Sequence, residues 1–248
     1  MSGNSHLLRQ YGLVVNTIML LLQSSCATRQ ADVSKAEKVM PDISRSLDNP
    51  GWWRVQFVKQ WPEGSPAPFS YDLLLAERII QPVLKRHRER IHLWRFHRRA
   101  GRDAAGSKFS FIFYTDADNA RLITDEISNQ PLLTELSDNR IIEKIWIDDY
   151  RVNERPGIGD TSDQEWPEEI QESWPYFIMG VSQTWLALIN KLTSKYPFPE
   201  DEDSIDEMLI YYGEVSNRID QYWNINGGHA YIHHLSALFA YRPVEVRF

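Results

Sequence analysis

The sequence predicts an α+β fold, because strand and helix patterns alternate through the middle of the chain and helical patterns fill its last third. Apolar residues recur with the spacing of strands and helices in the order β-α-β-β-α-β between residues 52 and 148. Of the 248 residues, 42% are hydrophobic and 12% are aromatic, which is enough to bury a sizeable core. The composition therefore argues against a disordered chain.

The first strand and the first helix come from clear local patterns. Alternating apolar residues predict a strand over residues 52–58, and the Pro- and Ser-containing residues 62–68 end it. Apolar residues three and four positions apart predict a helix over residues 71–88, bent near Pro82 because proline removes a helical hydrogen bond.

A hairpin, a second helix and a last strand complete the predicted sheet. Residues 91–99 and 108–115 are two β-rich runs joined by a longer loop. Asp116 or Asp118 can cap the following helix, and residues 141–148 form the last strand. This order is the split βαβ, or ferredoxin-like, arrangement, in which two helices cover one face of a four-stranded antiparallel sheet.

Both sides of the third strand are apolar: Phe109, Phe111 and Phe113 on one side, Ile112 and Tyr114 on the other. A strand of this kind is normally covered on both sides. Helical patterns over residues 177–192, 205–222 and about 229–239 can supply the second cover. Ser204 and Glu207 have the capping-box spacing that would start the middle one. We therefore expect the helical C-terminal third to pack on or beside the sheet.

The N-terminus predicts export. Arg9 precedes an apolar run over residues 11–22, small residues follow it, and Cys26 is the only cysteine. A cysteine in this place resembles the lipobox of bacterial lipoproteins, which implies a lipid on Cys26 and a membrane-anchored protein of the cell envelope. Two alternatives stay open: cleavage after Ala27, and an amphipathic N-terminal helix of a cytosolic protein. The run is too short to span about 30 Å of hydrocarbon as a lasting helix.

These patterns divide the chain into four parts. Residues 1–26 are a signal or anchor segment, and the polar, aperiodic residues 27–50 are a linker. Residues 51–150 form the α+β body, and residues 151–248 form a helical region that packs on it.

The predicted second strand carries the first candidate site. Alternation places Arg95, His97 and Arg99 in a row on one side of the strand, with about 6–7 Å between neighbours. We call this row of three residues the file. Guanidinium groups bind the paired oxygens of carboxylates and phosphates, so this file predicts an anion or ligand site. The alternative is an edge strand kept soluble by its charges.

A histidine cluster near the C-terminus is a second candidate. His229 and His233 are four residues apart and would share one helical face, with His234 beside them. No glutamate follows His229, so the HExxH pattern of metalloproteases is absent and we predict no metal site. Exposed or internally bonded histidines are the alternative.

Two resemblances concern the body of the protein. Phe109, Phe111 and Tyr114 look like the RNP1 stripe of RNA-recognition domains, but Lys108 stands where that motif has glycine and the net charge is −7. We therefore read these aromatics as core residues and expect no nucleic acid as a partner.

The second resemblance follows from residues 94–99, an aromatic and arginine-rich strand, and from the late His233 or His234. The order of elements over residues 52–241 resembles the C-terminal elimination domain of lantibiotic dehydratases, which also occurs alone in thiopeptide-type bacteriocin biosynthesis. This resemblance implies a lyase in which Arg95 and a late histidine have functional roles. The corresponding enzyme hypothesis places Arg95, Arg99 and His233 or His234 around an acidic substrate.

The residues favour binding over catalysis. The sequence has no Gly-rich phosphate loop and no GxSxG elbow, so we expect no cofactor. The leading hypothesis is an envelope lipoprotein whose α+β domain binds a protein partner or a small anionic ligand. The alternatives are a cytosolic enzyme of the elimination type and a structural subunit of a larger assembly.

Overall fold

The computed structural model describes residues 50–150, 154–199 and 204–241, all within one compact unit, Asp42–Phe248. Cys26 and the predicted anchor and linker lie outside the described residues. The protein has an α+β fold built on a four-stranded antiparallel sheet.

The strands of the sheet are β1 (Gly51–Lys59), β2 (Leu93–Arg99), β3 (Ser107–Thr115) and β4 (Ile142–Ile147), in the spatial order β2-β3-β1-β4. The central pair is in register over nine residues, so that Val55 lies opposite Phe111 and Phe57 opposite Phe109. Because side chains alternate along a strand, such partners point to the same side of the sheet. We call this side the inner face.

The helix after β1 changes its winding before a proline. It comprises α1 (Phe69–Leu74), a π-helical segment (Leu75–Ile80) and α2 (Gln81–Arg86). Pro82 stands in the first turn of α2. Proline cannot donate a backbone hydrogen bond. The wider winding just before it lets the neighbouring backbone groups keep their hydrogen bonds, so the helix continues. The predicted bend therefore takes the form of a π-helical segment.

The helix after β3 is α3 (Ala117–Ser128), and a further helix, α4 (Pro131–Asp138), precedes β4. Asp116 is the N-cap of α3, and its side chain accepts a 2.8 Å hydrogen bond from the backbone N–H of Asn119. Pro131 starts α4, where its fixed φ suits the first helical position.

The C-terminal third is helical, as expected. A short 3-10 turn (Gly159–Thr161) precedes the long helix α5 (Glu168–Lys195), and α6 (Ile205–Tyr222) continues without a break through a π-helical segment (Trp223–His233) into α7 (His234–Leu238). Ser204 caps α6 through a 3.2 Å bond from the N–H of Glu207, and its hydroxyl donates to Oε2 of Glu207. The capping prediction is thus confirmed.

The core lies between the inner face and the helices. The inner-face rings of β3, Phe109, Phe111 and Phe113, are completely buried, and so are the facing residues of α1 and the π-helical segment, such as Leu73 and Ile79. Trp185 of α5 contacts the rings of Phe96 and Phe109 and extends this core beyond β2. Since Phe109 and Phe111 are buried, they have no surface on which a base could stack.

The opposite, outer face carries the alternate residues, and part of it is open to solvent. Arg54, His97, Lys144 and Trp146 are exposed there, and Ile112 is half-buried. The cover expected for the third strand is partial on this face: Ser110 is buried, whereas Lys108, Ile112 and Tyr114 are half-buried. The reason is that α5 crosses the edge of β2: its residue Trp174 contacts the outer face, whereas Trp185 contacts the inner one.

No helix among residues 50–150, 154–199 and 204–241 is both long enough and apolar enough to cross a membrane.

Candidate anion-binding site

Arg95 lies on the outer face of β2, between Trp52 of β1 and Trp174 of α5. Its guanidinium carbon is 4.5 Å from the ring centre of Trp174 in α5 and 5.2 Å from that of Trp52 in β1. The residue is 8% exposed. A cation over aromatic faces is stabilised by the ring quadrupoles, so the two tryptophans form a cage for this charge.

The cage provides no counter-charge. Within the described part of the chain, Arg95 has no acidic partner, and its buried Nη1 has no hydrogen bond. Burial lowers the pKa of Arg95 to about 10, so the group still carries its charge at neutral pH. Burying a charge without a partner is unfavourable. A charged group that has lost its water without gaining a counter-charge is typical of a binding site. An anion beside the guanidinium would supply the missing partner.

The chain after β4 holds the cage together. Arg155 donates to the carbonyl oxygen of Trp52 at 2.7 Å and to Oδ2 of Asp148 at 2.6 Å. The indole N–H of Trp52 in turn donates to the carbonyl of Ile158 at 3.1 Å. The Trp52 ring is therefore fixed through its backbone and its side chain, and it is positioned before any ligand arrives.

The 3-10 turn contains a second buried polar atom that is unpaired within the described part of the chain. This turn follows soon after Arg155 and directly after Ile158 in the sequence. Oγ1 of Thr161 is buried and has no hydrogen-bond partner in the described part of the chain. The next residue, Ser162, donates to the carbonyl of Gln171 at 2.9 Å and thereby joins the turn to the first turns of α5.

His97 is the next outer-face residue along β2, and it is exposed. Its pKa is lowered from the ordinary value, first by partial desolvation and then by the positive charges of Arg95 and Arg99. The residue opposite it on β3 is Ser110, whose Oγ accepts a 3.0 Å bond from Nε2 of Gln56. His97 is thus an uncommitted, titratable group beside the caged arginine.

Arg99 has a different environment from the other two residues of the file. It forms an ion pair with Asp103, and its Nη1 donates to the carbonyl of Gly106 at 2.6 Å. Both partners belong to the loop between β2 and β3. Arg99 therefore stabilises the hairpin loop, and the charge free for a ligand in this file is that of Arg95.

The three histidines of the second candidate site do lie together. The ring centres of His229, His233 and His234 are 5.3–5.6 Å apart, and all three residues are exposed. In the described ranges, no group of three or more His, Cys, Asp or Glu side chains has an arrangement that could hold a metal ion. Nor does any hydrogen bond, ion pair or ring contact there join these histidines to Arg95 or Arg99.

Sequence reasoning missed the aromatic half of the Arg95 site and one buried charge cluster. Trp52 was read only as the start of a strand, and Trp174 was not singled out. On the inner face, Asp72 is completely buried between Lys59, with which it is paired, and Nε of Arg98 at 2.9 Å. Polar residues at otherwise apolar, inward-facing strand positions, Lys59 and Arg98, were the signal that could have found this cluster.

No protein family, curated protein or solved structure matches the chain.

Proposed function

We propose that this protein is a non-catalytic binding domain that recognises an anionic group at Arg95 and is held at the bacterial cell envelope by a lipid on Cys26. The observation that carries the binding part is the caged guanidinium, which is 8% exposed and has no acidic partner in the described part of the chain. A purely structural arginine at this depth would be expected to have a carboxylate or carbonyl partner.

The open outer face supports an anionic ligand or an acidic segment of a partner protein. Besides Arg95 and His97 it displays Lys108 and Lys144, and the ammonium group of Lys144 lies 3.5 Å from the ring centre of Trp146. Asp148 is already engaged, because it pairs with both Arg54 and Arg155. The remaining charge of the face is therefore positive, and it can attract carboxylate or phosphate groups toward Arg95.

The ferredoxin-like arrangement is also part of the proposal. It is supported by the order β-α-β-β-α-β along the chain and by an all-antiparallel sheet with the order β2-β3-β1-β4. In this arrangement the outer face is the natural position for a ligand, since the two connecting helices cover the other face.

The lipid anchor is supported by sequence alone. A positive residue, an apolar run and a following Cys26 are the parts of a lipoprotein signal, and the polar residues 27–50 would space the folded domain from the membrane. An Arg95 site on an anchored domain would then face ligands at the membrane surface.

The binding part is tested by calorimetric titration of the purified protein with sulfate and with succinate. Arg95→Met should weaken binding of either anion at least about tenfold, because a charge-assisted hydrogen bond is lost. Arg121→Met is the matched control, since Arg121 is exposed and pairs with Asp125 on its own helix. Equal affinities for the wild type and Arg95→Met would refute the proposed site.

The anchoring part is tested separately by fractionation of cells that express the full chain. The wild type should be found with the membranes and Cys26→Ala should be released, because a lipid can be attached only to the cysteine. A cytosolic wild type would contradict envelope localisation and leave the cytosolic alternatives.

A second candidate function, a structural subunit of a larger assembly, is favoured by the end of the long C-terminal helix. Ile225, Leu238 and Phe239 are 77%, 83% and 68% exposed, although large apolar side chains of this kind are usually covered. Light scattering across a concentration series tests it. If the wild type assembles and Leu238→Glu remains a monomer, this function is supported. A wild type that is a monomer at every concentration would contradict self-assembly.

A further inference from the structure

A cavity lies on the other side of β2 from Arg95. It has a volume of about 350 Å³, is open to solvent on one side, and is lined by residues of α2, of α5, and of β2 and the segment leading into it. Trp94, which precedes Arg95, lines it. Since neighbouring residues of a strand point to opposite faces, the cavity and the Arg95 cage are separate sites.

The base of this cavity is apolar. Ile91 and Leu186 line it and are 8% and 7% exposed, and the half-buried side chains of Leu84 and Trp94 complete the apolar surface. The volume is at the lower end of the range for small-molecule pockets, about 300–1,000 Å³. A short apolar chain or a single ring would fit against these residues.

The rim of the cavity is cationic and unpaired. Lys85 and Arg88 line it, and neither has an acidic partner in the described part of the chain. Their neighbours Arg86 and His87, which do not line the cavity, both pair with Glu126. The two cations that face the cavity are thus the ones left without a counter-charge.

Three amide side chains join these cations. Gln81, Gln183 and Asn190 all line the cavity, and within the described ranges none of these side chains has a hydrogen-bond partner in the protein. Gln81 is only 9% exposed. No acidic residue lines the cavity. The rim therefore offers positive charge and hydrogen-bond donors over an apolar base.

We infer that this cavity binds a small amphipathic anion, with one carboxylate or phosphate group held by Lys85 and Arg88 and a short apolar body on Trp94, Ile91 and Leu186. Cations and amide N–H groups are suited to the anionic head, and the apolar base is suited to the body. This inference does not depend on the Arg95 site.

The test is calorimetric titration of the wild type with three ligands that share one tail: octanoate, octanol and octylammonium. At the cavity, octanoate should bind at least about tenfold more tightly than octanol, and octylammonium should not bind, because only the carboxylate can pair with the rim cations. Octyl phosphate tests the other head group, and its affinity relative to octanoate tells which anion the rim prefers. Equal binding of octanol or octylammonium, or no binding of either anion, would overturn the inference.

Variants then locate the binding. Ala187 is an exposed residue that lines the cavity, so Ala187→Trp should fill the space and abolish octanoate binding while the thermal unfolding curve stays unchanged. Lys85→Gln with Arg88→Gln should weaken octanoate at least about tenfold without affecting octanol. Arg86→Gln and Arg121→Met are the controls, and both should bind octanoate as the wild type does, because neither residue lines the cavity. Octanoate binding that survives in Ala187→Trp, or that is unchanged when Lys85 and Arg88 are both replaced by Gln, would place the ligand elsewhere and refute this site.

Discussion

Oγ of Ser182, in the middle of α5, accepts a 3.0 Å hydrogen bond from the backbone N–H of Phe96 in the edge strand β2. The bond is buried and joins residues 86 positions apart in the sequence. An unpaired edge strand can add further strands and cause aggregation. By crossing this edge, α5 covers it and also brings Trp174 to Arg95 on the outer face.

Ser182→Ala should therefore destabilise the protein. The N–H of Phe96 would remain buried without a partner, which costs about 1–3 kcal/mol in free energy of unfolding. Urea denaturation measures the change. Thr184→Ala is the control, because the Thr184 hydroxyl is exposed and bonds only within its own helix, to the carbonyl of Gly180 at 2.9 Å. The control should change the free energy by no more than about 0.5 kcal/mol, and equal effects in both variants would show that the edge bond is unimportant.

The buried pair of Lys59 and Asp72 leads to a second prediction. Burial lowers the pKa of Lys59, and the pair is stabilised by Arg98 on the other carboxylate oxygen. Asp72→Asn removes the negative charge and leaves the lysine buried without compensation, so we expect a loss of about 3 kcal/mol in free energy of unfolding. Lys59→Met combined with Asp72→Leu should cost less than the single change, since no buried charge then remains between these positions. A double variant as unstable as Asp72→Asn would contradict this account.

Much of the fold was predictable because its signals are local. The alternation around Val55, the cap at Asp116 and the capping box of Ser204 with Glu207 each involve residues within a few positions of one another, and the structure contains all three. The open outer face was not predictable. The apolar side chains of Ile112 and Tyr114 suggested a cover, but they are only half-buried, and the path of α5 past β2 is set by contacts such as that between Phe96 and Trp185.

The candidate site was predictable to a similar extent. Alternation along β2 correctly placed Arg95, His97 and Arg99 on one face. It could not distinguish the caged Arg95 from Arg99, because the difference comes from Trp52 and Trp174, which are far from β2 in the sequence. Aromatic partners that converge on β2 from two other elements leave no spacing that a single sequence can reveal.

A third prediction separates buried Arg95 from half-buried Arg155, both of which lie over tryptophan rings. Arg155 lies 4.1 Å from the ring centre of Trp53 and is bonded to Asp148 and to the carbonyl of Trp52, whereas Arg95 has only its rings. Arg155→Met should lower the free energy of unfolding by about 2 kcal/mol, because charge-assisted bonds are lost. Arg95→Met should leave it unchanged or raise it by up to about 1 kcal/mol, because an unpaired buried charge is removed while the apolar stem is kept. Denaturation curves of the two variants provide the comparison. A larger loss in Arg95→Met than in Arg155→Met would show that Arg95 is a structural residue.

The last prediction concerns the pH dependence of anion binding. The pKa of His97 is lowered from its ordinary value of 6.5 by desolvation and by the charges of Arg95 and Arg99. In the free protein the ring therefore becomes protonated at a lower pH than an ordinary histidine. An anion at Arg95 would offset these positive charges and raise the pKa of His97 toward the ordinary value. Binding then takes up a proton, and affinity should increase as the pH falls.

Sulfate is the suitable probe because its own charge is constant over this range. Its affinity, measured by calorimetry, should rise several-fold between about pH 7.5 and pH 5.5, where histidine titrates. His97→Gln should bind sulfate with an affinity that changes little over the same interval, because the titrating group is gone and Arg95 remains. A wild-type profile that is flat, or a rise that persists in His97→Gln, would exclude His97 from the site and leave Arg95 as its only charged member.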